Sequence, residues 1–158
     1  MQIRKIKPFD KLWIDNLFIR EWGSTKIVTQ GKLYDVNDLL GFIAEIGIKR
    51  VGFITYRIDH DECEVISLNS LKSGLGIGKV LLSEVIEQAR NNNCKRVWLI
   101  TTNDNRKAQK FYEHLGWELV KIHKNAIAIS RKLKPEIPLL GFNDIPIRDE
   151  FKYELILS

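Results

Sequence analysis

Residues 67–89, SLNSLKSGLGIGKVLLSEVIEQA, place glycines at 74, 76 and 78 and run directly into an apolar-striped segment. A glycine turn that opens a helix leaves the backbone N–H groups of Gly74, Leu75, Gly76, Ile77, Gly78 and Lys79 unshielded at the positive end of the helix dipole, which is a socket for phosphate. Glycine also tolerates the backbone angles that so tight a turn requires. The competing reading is a packed turn that binds nothing. Two phosphate motifs fail by position. A dinucleotide G-x-G-x-x-G starting at Gly74 needs glycine where Lys79 stands, and a Walker A loop needs glycine at Ser73 and a hydroxyl residue at Val80.

A second chemistry sits just upstream, in ECEVISLN at 62–69. Strict strand alternation puts Glu64, Ile66 and Leu68 on one face and Cys63, Val65 and Ser67 on the other, with Glu62 on the side of Glu64. A carboxylate among apolar neighbours has a raised pKa, which suits a general base acting directly or through water. The alternative is that both glutamates form a solvated strand end after Asp59-His60-Asp61. Cys63 and Cys94 lie 31 positions apart without metal-ligand spacing, so core thiols are expected and no metal. His60, His114 and His123 receive no role.

These residues need elements to position them. Phe9, Leu12, Trp13 and Leu17 predict a helix over 8–21 that ends near Gly23. Residues 23–38 have no clear pattern. Extended segments at 39–47, 49–58 and 62–69 predict an antiparallel meander. Ile77, Leu81, Leu82, Val85, Ile86 and Ala89 then form the apolar face of a helix, and KRVWLITT at 95–102 reads as a strand buried on both faces. Strand, helix and strand in that order make a parallel crossover. Asp104 is placed to cap a helix that stops at Gly116, and WELVKIH and FKYELIL add strands. The expected fold is α+β: one domain spanning 1–158, with a mixed, largely antiparallel sheet of about seven strands flanked by helices. An insertion at about 123–150, holding a short helix and three prolines, precedes the last strand.

The turn resembles the pyrophosphate loop of the GNAT superfamily of N-acetyltransferases, R/Q-x-x-G-x-G/A, with Ser73, Gly76 and Gly78 in the matching places and serine replacing the usual Arg or Gln. Downstream, TTNDNRKAQKFYEHLGWELV is similar to the family's N-x-x-A-x-x-F-Y-x-x-x-G-F/W block through Asn105, Ala108, Phe111, Tyr112, Gly116 and Trp117. The resemblance covers about residues 50–122. It implies a splayed parallel strand pair that takes the pantetheine arm of acetyl-CoA, with the amides of 74–79 on the diphosphate and the Leu68 N–H polarising the thioester carbonyl. Tyr112 would protonate the departing sulfur, the alternative being a core tyrosine on the face with Ala108 and Leu115, and Asn105 would hold the pantetheine or its neighbouring backbone, or simply start the helix, with Ala108 beside it. Arg106, Lys107 and Lys110 would meet the 3′-phosphate or simply solvate a helix face. The implied reaction is direct attack by an amine in a ternary complex.

The net charge of +5 suits a polyanionic ligand, yet the basic residues are scattered, without a block or an aromatic-interleaved strand for nucleic acid. No apolar run approaches the ~20 residues of a membrane span, and no apolar core follows the basic start, so a cytoplasmic protein without a leader is expected. The rival functions are a non-catalytic acyl-CoA sensor and a small basic nucleic-acid-binding domain. The insertion, with residues 19–28, is expected to line or cover the acceptor pocket; a homodimer contact or a structural flap is its alternative role. Small amine, amino acid, antibiotic and protein amine all remain open as acceptors.

Overall fold

Alternating apolar residues in the middle of the chain set the sheet. In the computed structural model, which describes residues 1–157, β4 (Leu40–Ile46), β5 (Lys49–Asp59) and β6 (Glu62–Ser70) form the expected meander. β1 (Gln2–Lys5) pairs with β4, β7 (Arg96–Thr102) runs parallel to β6, and β9 (Glu150–Ile156) inserts between β7 and β8 (Glu118–His123). The result is a seven-stranded α+β sheet in the order β1-β4-β5-β6-β7-β9-β8. β1 escapes the sequence pattern because its four residues, QIRK, hold a single apolar side chain.

Each face of the sheet carries its own core. α2 (Ile77–Asn91) presses Ile77, Leu81, Leu82, Val85 and Ala89 onto Ile54, Val65, Val97 and Leu99. On the other face α1 (Lys11–Trp22) buries Ile14, Leu17 and Phe18 against Ile43 and Phe53. Phe53 is fully enclosed, with Trp13 edge-on at 5.9 Å and Phe18 at 5.6 Å between ring centres. A turn of 3-10 helix, Pro8–Asp10, leads into α1, and Gly23 ends it in the left-handed region at φ 76°. Asp10, wholly buried, accepts from Arg4 at 2.7 and 2.8 Å, from Arg50 at 2.9 Å and from the Lys7 amide at 2.7 Å. This clamp ties β1, the turn and β5 together.

Residues 23–38, which showed no pattern, hold a hairpin of β2 (Lys26–Thr29) and β3 (Lys32–Asp35) outside the main sheet. Its two-residue tip, Gln30-Gly31, has φ of 52° and 71°, the twist that matches a tight two-residue turn.

Two expectations are corrected. Thr55 pairs with Ser67 but Tyr56 pairs with Val65, so Ile66 is an extra, bulged residue in β6. The bulge resets the alternation. Glu64 therefore shares its face with Ser67, and Leu68 joins Cys63 and Val65 on the α2 side, as the pairings Arg57–Glu64, Thr55–Ser67 and Ile54–Leu68 require. Asp104 is not the cap of α3 (Arg106–His114). Asn105 is: its side chain accepts from the Ala108 amide at 3.2 Å. Asp104 instead accepts from the Phe142 amide at 3.1 Å, in a space that a Cβ on Gly141 would fill.

The insertion contains α4 (Ala126–Leu133) as expected. Its returning segment is bound just after β7 by Asn103, which donates to Pro146 O at 2.9 Å and accepts from the amides of Arg148 at 2.9 Å and Asp149 at 3.0 Å, and within the insertion by Arg131, which donates to Ile147 O at 2.9 Å.

Candidate active site

The central feature is where two strands stop pairing. β6 and β7 are in parallel register only from Glu62–Arg96 to Val65–Leu99, although β6 continues to Ser70 and β7 to Thr102. Beyond Val65 the strands part, and the bulge at Ile66 marks the parting. At that end of β6 the chain turns through Leu71–Leu75 into α2.

The glycines of the turn do two different jobs. Gly74 and Gly76 have φ of 79° and 69°, and a Cβ on either would meet nothing within 4 Å. They are required by conformation, and they border open space. Gly78 has an ordinary φ, but its Cβ would come within 3.2 Å of the Phe111 ring and 3.8 Å of Leu68. That close approach draws the start of α2, the end of β6 and α3 to one point. Gly76 is the N-cap and supplies no side chain to the first amides of α2. Those donors remain available at the positive helix end. Ser73 and Lys79 are exposed, Leu75 is half-exposed, and Ile77 buries its side chain in the core so that only its amide faces outward chemistry. Ala108 packs against the α2-side core and Asn105 caps α3 beside it. The turn, the parted strands and α3 thus meet at one end of β6.

Glu64 lies on the opposite face and is 3 % exposed, so it is no solvated strand end. It borders a cavity of about 200 Å³ with Thr29, Gln30, Lys32, Tyr34, Arg57, Asp59, Glu62 and Trp98. Burial pushes its carboxyl up to about 7, while Arg57, with Nη1 3.6 Å from Oε1, pulls the other way. Arg57 also stands 3.6 Å from Asp59 and 5.6 Å from the centre of the Tyr34 ring. Glu62 differs from its neighbour: the Arg96 guanidinium grips both of its oxygens at 2.9 Å. Glu64 is held more loosely than Glu62, with Arg57 no nearer than 3.6 Å. Trp98 makes one wall, with the Lys152 ammonium 4.4 Å from its ring centre.

Tyr112 does not share the cavity. It sits in the α2-side core among Phe111, Trp117 and Tyr153, 7 % exposed, with burial raising its phenol to about 12. Glu64 and Tyr112 thus flank the parted strands from opposite faces.

The hairpin residues Thr29, Gln30, Lys32 and Tyr34 were absent from the sequence expectations, as were Arg57 and Trp98. A short β-prone run on each side of Gln30-Gly31 was the available signal. The insertion supplies none of the residues lining the cavity. It buttresses the hairpin instead, through contacts of α4 with β2 and a 2.9 Å bond from Lys134 to Lys26 O.

The description "Acetyltransferase (GNAT) family" matches residues 8–117. The chain belongs to the GNAT family of acetyltransferases. The uncharacterized protein YxbD of Bacillus subtilis is 43 % identical over 138 residues, 87 % of each chain. Among solved structures, the IAA acetyltransferase of Bacillus cereus superposes with a TM-score of 0.72 at 18 % identity over 99 % of both chains. A GNAT acetyltransferase of Elizabethkingia anophelis with acetyl-CoA bound gives 0.69 at 19 % identity, over 99 % of this chain and 97 % of that one. Both solved structures share the fold. Among the described residues no His, Cys, Asp and Glu cluster could hold a metal ion, and none of the helices they form is long and apolar enough to cross a membrane.

Proposed function

We propose that the chain transfers an acetyl group from acetyl-CoA to a primary amine by direct attack in a ternary complex. The observation that carries this reading is the end of the β6–β7 pairing at Val65–Leu99 beside an α2 whose first amides no side chain caps. Acetyl-CoA supplies the activated acetyl group. The amides of 74–79 bind its diphosphate, with Ser73 at the edge of the turn, and Asn105 and Ala108 border the arm. The Leu68 N–H faces the thioester carbonyl. Glu64 takes the proton of the attacking amine, for which a pKa near neutrality is well matched. Tyr112 stays protonated up to high pH and so can donate to the leaving sulfur.

Thiol release from acetyl-CoA over a broad panel of amines tests the proposal. Glu64→Gln and Tyr112→Phe should each lower kcat/KM by roughly a hundredfold or more. Tight CoA binding with no amine-dependent turnover would instead make the chain an acyl-CoA sensor. Turnover that both substitutions leave intact would overturn the residue roles.

A further inference from the structure

The charges around the cavity do not all cancel. Glu62 is held by Arg96, and Asp59 by His60 at 2.7 Å and Arg57 at 3.6 Å. Arg57 is itself shared between Asp59, Glu64 and the Tyr34 ring. Arg57 aside, no cation stands within 4 Å of Glu64 among the described residues, and two ammoniums lie near the cavity, Lys152 over the Trp98 ring and Lys32. Among the described residues Lys32 joins no ion pair. Lys32 stands directly opposite Thr29 across the hairpin, so the two side chains leave on the same face, and both line the cavity. The Thr29 hydroxyl is buried, in a residue only 7 % exposed, and has no hydrogen-bond partner. A buried hydroxyl without a partner costs free energy unless a ligand satisfies it. A hydroxyl and an ammonium side by side form a receptor for an anionic oxygen group.

Size narrows the occupant further. An engineered cavity of ~150 Å³ holds benzene, so about 200 Å³ accommodates roughly eight non-hydrogen atoms. That volume encloses one small amine, and because the cavity is open on one side a longer acceptor would leave the rest of its length outside.

We propose that the acceptor is a small amine carrying its own carboxylate, an amino-acid-like zwitterion, whose carboxylate is held by Lys32 and the Thr29 hydroxyl while its amine faces Glu64. The inference rests on the acyl-transfer reading above and names the substrate class for that site. A diamine of the same size is selected against, because its second ammonium would meet Lys32.

The test is acetyl-CoA-dependent thiol release with a size series of free amino acids, each beside its carboxamide and its decarboxylated amine. The carboxamide is nearly isosteric and its ammonium is the more acidic, so amine reactivity alone would favour it. The wild-type protein should prefer the carboxylate over both analogues by roughly tenfold or more in kcat/KM, expressed mainly in KM. Lys32→Met and Thr29→Val should collapse that ratio toward one, and a retained CoA-induced rise in melting temperature shows that each variant is folded. Turnover without a carboxylate preference, or a preference that survives both substitutions, overturns this inference and leaves acyl transfer standing. CoA binding with no turnover on any amine overturns the acyl-transfer reading and this inference with it.

Discussion

At the scale of single residues, Glu64 shows what the proposed chemistry costs in stability. Its folded pKa of about 7 lies above the ordinary 4.5, so the folded state binds this proton more tightly than the unfolded chain does. The stability linked to it is complete below about pH 4.5 and is lost as pH rises through 7, by about 3 kcal/mol at most. Glu64→Gln should therefore be more stable than the wild type at pH 8, the difference vanishing near pH 4, as denaturant unfolding at the two pH values will show. The same substitution should remove an acid limb near pH 7 from the kcat profile. Asp10 has the opposite sign. Its burial opposes ionisation, but Arg4, the Lys7 amide and Arg50 outweigh it and hold the carboxyl at about 2, against an ordinary 3.8. About 2 kcal/mol of stability is thus present above pH 4 and lost as pH falls through 2. Acid unfolding of Asp10→Asn should lose that dependence. The sequence pointed to Glu64 through an alternation that set it beside Ile66 and Leu68, a premise the bulge removes, and Arg57, Tyr34 and Trp98 come from three different strands whose register only tertiary pairing fixes.

At the scale of elements, the bulge and the hairpin matter most. Ile66 shows why alternation alone misassigned Leu68: one inserted residue exchanges the faces of everything after it, and nothing in the local composition announces it. The hairpin was missed because its strands are four residues each and lie outside the main sheet. Its tip is fixed from a distance. Gln30, in a left-handed conformation that costs about 1 kcal/mol or more, donates its amide to Glu150 at 3.4 Å and its side chain at 3.2 Å. Glu150, at the start of β9, is 2 % exposed, and burial raises its pKa. It positions the hairpin that supplies Thr29 and Lys32. Glu150→Leu should raise KM for the amine several-fold while the melting shift produced by CoA stays close to that of the wild type. An equal loss of both would mean that Glu150 serves only general folding.

At the scale of the whole molecule, the α+β sheet was legible because a long periodic segment such as Ile77–Ala89 and a continuous apolar run such as Val97–Ile100 each carry a strong pattern of their own. The acceptor side was not, because it is built where short pieces meet. The insertion illustrates this: it was expected to line or cover the acceptor pocket, and α4 and Lys134 join it to the hairpin. Its two ends also meet. The Asn125 amide donates to Asp149 at 2.9 Å, and the Ile127 amide to Arg148 O at 3.1 Å. Replacing residues 128–146 with a short glycine-serine bridge should therefore leave CoA-dependent thermal protection in place while loosening selection among amines, which differential scanning fluorimetry and a competition assay would read separately. A segment whose stem is already closed behaves as a cassette: its length and content can drift or be exchanged with little entropic penalty to the sheet, so descendants of one scaffold can acquire new appetites without relearning how to fold.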